Sequence, residues 1–499
     1  MSLTSFPAAG DPLRYWSRLQ PNRVALVDRS TGRRWSYAQL SLEADRWANE
    51  LLARGVEPGD RVALLAGNRA EAIHIFFACG RIGCALIPLN WRLAPAEIRP
   101  IVADAAPTLV LAESRFAEAL ADKPLDLETV AEAAALRPTD PPPPAPVQPE
   151  TPWLILYTSG STGSPKGAIL PHRQILFNAI ATSIGWSLGA SDVAPISTPL
   201  FHTGGWNVSA TPLWFVGGTV VLFESFEPAA FLAGLAQEGC TLALTVPTQL
   251  LMLTESADWG KPLPRLRHFI SGGAPCPATL TDAVRSAGYH FREGYGLTEC
   301  GPNCFASSDE VALRQPGSVG TPIPFLEVRL EGEDGTEVPV DETGELLLRG
   351  PQLFGGYLGR PDLTEAACSD GGWLRTGDLA SRDENDIFRI RGRKKEMYIS
   401  GGENVYPAEV EAALCELSGI LEAVVIGVPD ERWGEVGAAY VVPRQGAPLR
   451  ESEVLAHTKL RLAGYKRPSS VTIVPEIPRL GSGKPDRAAL INHHLPPAR

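Results

Sequence analysis

The sequence predicts an α/β fold, with parallel-rich sheets and covering helices in a large N-terminal domain and a small α+β domain at the C-terminus. Short apolar runs such as 61–66 and 153–157 alternate with helix-length segments such as 37–53. Their nearly continuous apolar character is typical of strands buried on both faces, as in parallel sheets with crossover connections. The pattern changes beyond Arg391, where charge and glycine concentrate. We therefore expect domains at 1–394 and 395–499.

The elements are expected in the following order. In the large domain, strands are predicted at 61–66, 85–89, 108–112, 153–157, 241–246 and 268–271, and helices at 37–53 and 172–184. In the small domain, strands are predicted at 424–428, 438–442 and 471–474, and helices at 407–417 and 451–462. The proline-rich segment 137–150 is predicted to be a surface connector inside the large domain.

Composition and charge exclude several classes of function. The chain has 499 residues, of which 44% are hydrophobic, and 45 Lys and Arg against 57 Asp and Glu give a net charge of −12. Such an acidic chain is a poor candidate for binding nucleic acid, which relies on neutralising phosphates. An anionic small molecule must therefore be held by local donors rather than by the field of the whole protein.

Cysteine usage and hydropathy give expectations about the compartment. The eight cysteines are scattered without a CxxC pair, so we expect reduced thiols and no zinc site. The first residues carry neither the basic cluster nor the apolar stretch of a signal peptide, and no run of about 20 apolar residues follows. We expect a cytoplasmic protein; homodimer formation and peripheral contact with a membrane stay open.

Glycine-rich turns follow several of the predicted strands. The first, at 157–167, combines hydroxyl-bearing residues, glycines and Lys166 between a buried strand and a predicted helix. Freed backbone N–H groups, hydroxyls and a cation suit a polyphosphate, although the spacing is not that of a Walker A loop. Similar turns occur at 271–275 and 294–299. Because ligands bind beyond the carboxyl ends of strands in such sheets, the turns predict one composite site.

The segment TSGSTGSPKG at 158–167 resembles the phosphate loop of the adenylate-forming superfamily, which includes acyl-CoA synthetases, luciferases and peptide-synthetase adenylation domains. Further family motifs follow in the expected order: SGGAP at 271–275, EGYGLTE at 293–299, RTGDL at 375–379, GRKKE at 392–396, SGGENVYPAEVE at 400–411 and GSGK at 481–484. The sequence is most similar in character to bacterial fatty-acyl-CoA synthetases.

The resemblance implies ATP, Mg²⁺ and CoA as cofactors and assigns residues to each part of the nucleotide. In the phosphate loop it assigns Thr158, Ser159, Gly160, Ser161, Thr162, Gly163 and Lys166. The adenine slot would be lined by Gly273, Ala274, Pro275, Glu293, Gly294 and Tyr295. Asp378, with Arg393 beside it, would accept from the ribose hydroxyls, Thr298 would bind the α-phosphate and Glu299 would bind Mg²⁺.

The resemblance also implies a catalytic lysine carried by a domain that rotates. Lys484 would reach between the acyl carboxylate and the α-phosphate and stabilise charge that develops only in the transition state. Lys395 occupies the position of the family's hinge, about which the small domain turns between adenylation and thioester formation.

Two more groups of residues are expected to hold the acid and the thiol. Ser400, Gly401, Gly402 and Glu403 would border the pantetheine tunnel, and Trp433, Tyr465, Lys466 and Arg467 would clamp the nucleotide end of CoA. His202 is expected to stand between the acyl pocket and the thiol tunnel, as a catalytic or gating residue. Trp206, Gly296 and Leu297 are candidates for the acyl pocket.

These residues predict an ATP-dependent acyl-CoA ligase that acts on a small-molecule carboxylic acid. A medium- or long-chain fatty acid is the main expectation, and an aryl or cinnamate-type acid is the alternative. Three further hypotheses are an enzyme that loads a carrier protein, a luciferase-type oxygenase and a non-catalytic relative. The last would require a broken site, whereas Lys166, Glu299 and Lys484 are all present.

Overall fold

The computed structural model describes residues 10–120, 123–159, 165–369, 371–481 and 483–494, and these form a mixed α/β architecture. Up to Arg393 the elements are α1 (Pro12–Leu19), β1 (Val24–Asp28), β2 (Arg34–Ser36), α2 (Tyr37–Ala53), β3 (Arg61–Leu65), α3 (Ala70–Ile82), β4 (Ala85–Pro88), α4 (Pro95–Ala105), β5 (Leu109–Ala112), β6 (Leu125–Asp126), α5 (Leu127–Ala135), β7 (Pro152–Ser159), β8 (Pro165–Pro171), α6 (His172–Gly185), β9 (Val193–Ile196), α7 (Thr203–Trp206), α8 (Ala210–Val216), β10 (Thr219–Leu222), α9 (Pro228–Gln237), β11 (Leu242–Thr245), α10 (Pro247–Thr254), β12 (His268–Ser271), α11 (Ala278–Ser286), β13 (Phe291–Glu293), β14 (Phe305–Ala306), α12 (Asp309–Arg314), β15 (Thr321–Pro322), β16 (Glu327–Glu331), β17 (Gly344–Arg349), α13 (Pro361–Ala367), β18 (Cys368–Ser369), β19 (Trp373–Arg382) and β20 (Phe388–Arg393).

The remaining elements follow an exposed turn at 394–397. They are β21 (Tyr398–Ser400), β22 (Glu403–Val405), α14 (Pro407–Cys415), β23 (Ile420–Asp430), β24 (Gly434–Pro443), α15 (Glu451–Arg461), β25 (Ser470–Ile473) and α16 (Arg487–His494). Short 3₁₀ helices lie at Ser114–Ala119, Thr298–Cys300 and Gly464–Lys466.

The parallel sheets predicted from the apolar runs are present. The central sheet has the strand order β6-β5-β3-β4-β7-β8, and its strands are parallel except for the β7–β8 pair. A parallel sheet of β11, β12 and β13 carries two of the glycine-rich turns. In the sheet β2-β1-β10-β9, strands β1, β10 and β9 are likewise parallel.

The chain after the phosphate loop differs from the sequence prediction. The helix expected at 172–184 is present as α6, but the chain first returns as β8, antiparallel to β7, a strand that was not predicted. The apolar side chains of Ala168 and Leu170 are buried on β8, and this burial stabilises a strand at the edge of the sheet. Thr158 and Lys166 consequently lie opposite each other in the register.

An antiparallel sheet, which the sequence pattern did not reveal, leads into the C-terminal elements. Strands β16, β17, β19 and β18 form it in that order, and β20 pairs with β19. The C-terminal elements form a second sheet of order β22-β21-β24-β23, to which β25 adds in parallel beside β24. The chain thus comprises a large N-terminal domain and a small α+β C-terminal domain, as predicted.

Close packing between α3 and β7 fixes the base of the central sheet. Every residue of helix α3 except Glu71 is buried, as its largely apolar sequence requires. A Cβ atom at Gly80 would lie 2.4 Å from the Trp153 ring, so only glycine lets the helix approach this closely. Trp153 in turn stacks on Phe76 at 4.5 Å and on His172 at 4.4 Å.

Among the described residues, no helix is both long and apolar enough to cross a membrane. All eight cysteines are free thiols, as expected from their spacing.

His172 makes the stability of this core sensitive to acid. Its ring is 3% exposed, and neither ring nitrogen has a hydrogen-bond partner among the described residues. Burial lowers the pKa of His172 to about 4, so folding holds the imidazole neutral. Since the unfolded state binds this proton more tightly, stability falls as the pH drops from about 6.5 towards 4.

We predict that His172→Phe reduces this acid sensitivity, because phenylalanine keeps the stacking on Trp153 but cannot titrate. Between pH 7 and pH 5, the wild type should lose about 2 kcal/mol more unfolding free energy than the variant. Urea denaturation at both pH values measures the difference. His493→Phe, at an exposed site, should follow the wild type, and an equal loss in all three proteins would contradict the assignment.

Candidate active site

Two strands bring the phosphate-loop residues Thr158 and Lys166 together. They lie opposite each other on β7 and β8, and the Lys166 ammonium lies 5.1 Å from the centre of the Tyr357 ring. A cation over an aromatic face is held electrostatically by the ring quadrupole. The predicted loop residues Gly160, Ser161, Thr162 and Gly163 lie outside the described residues, and of Ser159 the structure describes only the backbone, in β7.

Thr298 and Glu299 lie on a 3₁₀ helix beside the same tyrosine. The Tyr357 hydroxyl donates to Glu299 Oε1 at 2.8 Å, and the backbone N–H of Phe354 donates to the Glu299 carbonyl at 2.7 Å. Gln174 Nε2 donates to the Thr298 carbonyl at 2.9 Å. The proposed magnesium carboxylate and the proposed phosphate lysine therefore share one aromatic neighbour, which no motif in the sequence had singled out.

The predicted adenine slot lies at the carboxyl ends of the parallel strands β12 and β13. Ser271 and Glu293 are opposite each other at the ends of these strands, and a Cβ on Gly272 would lie 3.3 Å from the Gly294 carbonyl oxygen. The two turns are thus in contact. Gly273 has φ +84°, a conformation that favours glycine, and Ala274 and Pro275 follow it at the exposed surface of the turn.

Burial raises the pKa of Glu293 to about 7, although Arg389 opposes the shift. This carboxyl group is therefore more easily protonated near neutral pH than an ordinary glutamate.

Asp378 is paired on both of its oxygens. Arg393 Nε lies 2.6 Å from Oδ1, and the Tyr295 hydroxyl donates to Oδ2 at 2.5 Å. Asp378 and Arg393 face each other in the register of β19 and β20. Asp378 is 4% exposed, and its burial raises the carboxyl pKa, whereas Arg393 and Tyr295 lower it. The ribose-binding residues of the prediction thus form one connected cluster.

The small domain places Lys484 next to this cluster. Burial lowers the pKa of the Lys484 ammonium, and Arg393 lowers it further. The carboxylates of Asp378 and Glu299 act in the opposite direction. Lys484 is nevertheless an exposed residue, and charged groups of the large domain lie near it. The structure thus brings together residues that are far apart in sequence.

The Lys484 turn rests on the loop between β4 and α4. Asn90 Nδ2 donates to the Gly481 carbonyl at 3.4 Å, and a Cβ on Gly481 would lie 2.5 Å from Leu93 Cδ2. The turn is closed by the Leu480 N–H, which donates to the Lys484 carbonyl at 2.9 Å. The lysine is thus carried on a short turn that contacts the large domain directly.

His202 lies near Arg92 and Lys484. Burial lowers its pKa to about 4, and the nearby cations Arg92 and Lys484 add to this. The imidazole is therefore neutral at physiological pH. Its ring centre is 4.6 Å from that of Phe201.

Of the residues expected to line the acyl pocket, Trp206 lies in the core, whereas Gly296 and Leu297 lie beside Thr298. Trp206 is wholly buried, stacks on Phe76 at 4.7 Å and donates through Nε1 to the Leu200 carbonyl, so it packs in the core and does not line an open pocket. A Cβ on Gly296 would lie 2.1 Å from the Pro302 carbonyl oxygen, so that the two backbones touch there. Leu297, half-buried, directly precedes Thr298.

The predicted CoA-binding residues form a separate face of the small domain. The Gly401 N–H donates to the Trp433 carbonyl at 2.9 Å, and a Cβ on Gly401 would lie 2.9 Å from the Trp433 ring. Trp433 is 47% exposed, with the Arg432 guanidinium 4.8 Å above it. Ser400 is buried, whereas Gly402 and Glu403 are exposed at the hairpin tip.

The cations of this face already have partners. Lys466 Nζ lies 2.6 Å from Glu409 Oε1, and Arg467 Nε donates to the Leu462 carbonyl at 2.9 Å. Tyr465 is 38% exposed. The aromatic faces of Trp433 and Tyr465 are consequently more accessible than the two cations that were expected to bind phosphate.

A small pocket lies apart from these residues. Its walls mix aromatic residues, such as Phe76, Trp153 and Trp214, with aliphatic residues, such as Ile175 and Pro12 of α1. None of the predicted site residues lines it.

Comparison with known proteins identifies the family. The family model described as "AMP-binding enzyme" matches residues 13–358, and the model described as "AMP-binding enzyme C-terminal domain" matches residues 409–484. The chain belongs to the AMP-binding enzyme family. It is an AMP-forming acid–thiol ligase whose substrates are ATP, CoA and a small carboxylic acid.

Relatives of this chain are named for different carboxylic acids. A feruloyl-CoA synthase of Amycolatopsis sp is 40% identical over 94% of this chain and 95% of its own length. An indoleacetate–CoA ligase of Aromatoleum aromaticum is 39% identical over 93% and 94%. The long-chain-fatty-acid–CoA ligase FadD13 of Mycobacterium tuberculosis is 33% identical over 95% of each chain. The crystal structure of ATP-bound MatB from Rhodopseudomonas palustris matches with a TM-score of 0.89 and 31% identity over 97% of this chain and 99% of that one.

We predict that Lys484→Ala slows adenylation by about 10²–10³-fold, the loss expected when one preorganised transition-state donor is removed. Exchange of labelled pyrophosphate into ATP measures this half-reaction. Conversion of preformed acyl-adenylate by CoA should stay near the wild-type rate. Lys459→Ala, which removes an exposed lysine of the same domain, is the control. Equal losses in both half-reactions would mean that Lys484 has another role.

Proposed function

We propose that this ligase activates an aromatic carboxylic acid, of the arylalkenoic or arylacetic type, and transfers it to CoA. The proposal rests mainly on two relatives near 40% identity, both named for aromatic acids. The fatty-acid expectation has less support, because the relative named for a long-chain acid is 33% identical. The aryl alternative therefore replaces the fatty acid as the main proposal.

In the proposed first step, the acid's carboxylate attacks the α-phosphate of ATP, and pyrophosphate leaves. Two anions must approach each other, so cations have to neutralise the charge that accumulates. Lys484 would lie between them, and Lys166, with the hydroxyls and backbone of the phosphate loop, would hold the leaving phosphates. Thr298 would contact the α-phosphate. Since Lys484 is supplied by the small domain, adenylation requires the arrangement in which its turn rests on Asn90 and Leu93.

The residues present are compatible with Mg²⁺ as the divalent cation. Within the described ranges, no group of three or more His, Cys, Asp or Glu side chains could hold a metal ion. Glu299 is a single carboxylate, and a hard cation bound through one carboxylate and phosphate oxygens is the pattern typical of Mg²⁺. When bound, the ion would neutralise phosphate charge. Glu299 would hold it, and the phosphate loop would present the nucleotide.

Asp378 would accept hydrogen bonds from the ribose hydroxyls, and these would replace the hydrogen bond that Tyr295 now donates to it. The turns at 272–275 and 293–296 would hold the adenine. His202, neutral near pH 7, would separate the acyl group from the path of the thiol. A neutral imidazole there adds no positive charge beside Lys484, and it can donate or accept a hydrogen bond as its tautomer requires.

In the proposed second step, the small domain rotates about Lys395. The rotation removes Lys484 from the site and lets the thiol of CoA enter. Lys395 lies in the exposed turn between β20, which belongs to the sheet of the large domain, and β21, which begins the small one. We therefore place the domain boundary at 394/395. Trp433 and Tyr465 would stack on the nucleotide end of CoA, with Ser400–Glu403 at the pantetheine path. Lys466 and Arg467 would have to exchange their present partners to bind its phosphates.

The test is release of AMP from ATP across a panel of acids, each assayed with and without CoA. The panel would contain ferulate, cinnamate, indoleacetate and benzoate, matched against fatty acids of short, medium and long chain. We expect CoA-dependent turnover with the aryl acids, with kcat/KM at least about tenfold above any fatty acid. A higher value for a fatty acid would reject the aromatic proposal. An adenylate that CoA does not discharge would point to a carrier protein as acceptor.

A further inference from the structure

Tyr357 joins three separate parts of the site. Its hydroxyl donates to Glu299 Oε1 at 2.8 Å, and its ring lies 5.1 Å from the Lys166 ammonium. Glu299 lies on a 3₁₀ helix, Lys166 on β8, and Tyr357 on the segment between β17 and α13. Without this tyrosine, the carboxylate and the ammonium have no common neighbour among the interactions described.

The backbone around Tyr357 is bonded to both partners. The Leu358 N–H donates to the Gly167 carbonyl at 2.8 Å, next to Lys166. The Phe354 N–H donates to the Glu299 carbonyl at 2.7 Å. The Tyr357 N–H itself donates to Thr364 Oγ1 at 2.9 Å, which ties the segment to α13. The phenol ring is therefore held at a fixed place relative to both groups.

The hydroxyl occupies only one oxygen of the carboxylate. Within the described part of the chain, Oε1 accepts from Tyr357, and no hydrogen bond or ion pair involves Oε2. The phenol oxygen is thus a hydrogen-bond donor to one carboxylate oxygen, and the other oxygen is left for a further ligand.

We propose that Tyr357 is a positioning residue for adenylation, which orients Glu299 towards the divalent cation through its hydroxyl and holds Lys166 against the phosphates through its ring. This inference rests on the proposed roles of Glu299 and Lys166. Partners that orient a metal ligand typically change metal affinity about 10–100-fold when they are removed. A cation–π contact attracts the Lys166 ammonium to the ring face and leaves N–H donors of the ammonium available to the phosphates.

Two substitutions separate the hydroxyl from the ring. Tyr357→Phe removes only the hydrogen bond to Glu299, whereas Tyr357→Leu also removes the aromatic face beneath Lys166. Tyr15→Phe is the matched control, because it deletes a phenol oxygen at a site that is 60% exposed. Circular dichroism and thermal melting establish that each variant is folded.

The measurement is binding of Mn²⁺, as a spectroscopic probe of the divalent site, to the complex with α,β-methylene-ATP, followed by electron paramagnetic resonance. Binding of the same analogue without metal is measured by calorimetry. We expect Tyr357→Phe to weaken Mn²⁺ binding by about tenfold or more, with metal-free nucleotide binding unchanged. Tyr357→Leu should weaken both.

Wild-type Mn²⁺ affinity in Tyr357→Phe, or an equal loss in Tyr15→Phe, would overturn the role of the hydroxyl. If Tyr357→Leu and Tyr357→Phe bind the nucleotide equally well without metal, the role of the ring is overturned. Neither result depends on turnover. Failure of the proposed function would instead appear as a wild-type enzyme that binds nucleotide and Mn²⁺ but forms no acyl-CoA from the panel of acids.

Discussion

The ion pair between Asp378 and Arg393 is the contact on which the geometry of the site depends. A buried carboxylate is costly unless its oxygens are paired, and here Arg393 and Tyr295 satisfy one oxygen each. Arg393 is also the last residue of β20, from which the chain turns into the small domain. The same pair that holds the proposed ribose site therefore fixes the point at which the chain leaves for the domain that carries Lys484, and losing either partner would disturb both.

Positive charge concentrates at this junction in a chain whose net charge is −12. Arg393 lowers the pKa of Lys484, and Lys484 and Arg92 lower that of His202. Mutual repulsion of this kind is relieved when anions bind between the cations, so part of the energy needed to bring the domains together would come from ATP and the carboxylate themselves. A site of this type attracts its anionic substrates locally, even though the whole protein is acidic.

The sequence predicted the helices and strands that local residue patterns determine. Apolar runs located β12 at His268–Ser271 to the residue, and helical periodicity located α2 at Tyr37–Ala53. The sequence did not predict features that depend on tertiary contacts. Strand β8 and the antiparallel sheet were missed, and Trp206, a candidate for the acyl pocket, packs on Phe76 of α3. The motifs located the groups that meet at the site, but Tyr357 carries no local signal, because its importance comes from two neighbours on other segments.

A reversible cross-link tests most directly whether the observed contact between the domains is the arrangement for adenylation, as we propose. Gly481 packs against Leu93 across the domains, so the pair Leu93→Cys and Gly481→Cys should form a disulfide that locks Lys484 in place, verified by mass spectrometry. The oxidised enzyme should release one equivalent of pyrophosphate and retain acyl-adenylate, yet form no acyl-CoA until a reductant is added. Acyl-CoA formation by the cross-linked enzyme at the rate of the reduced enzyme would contradict the account.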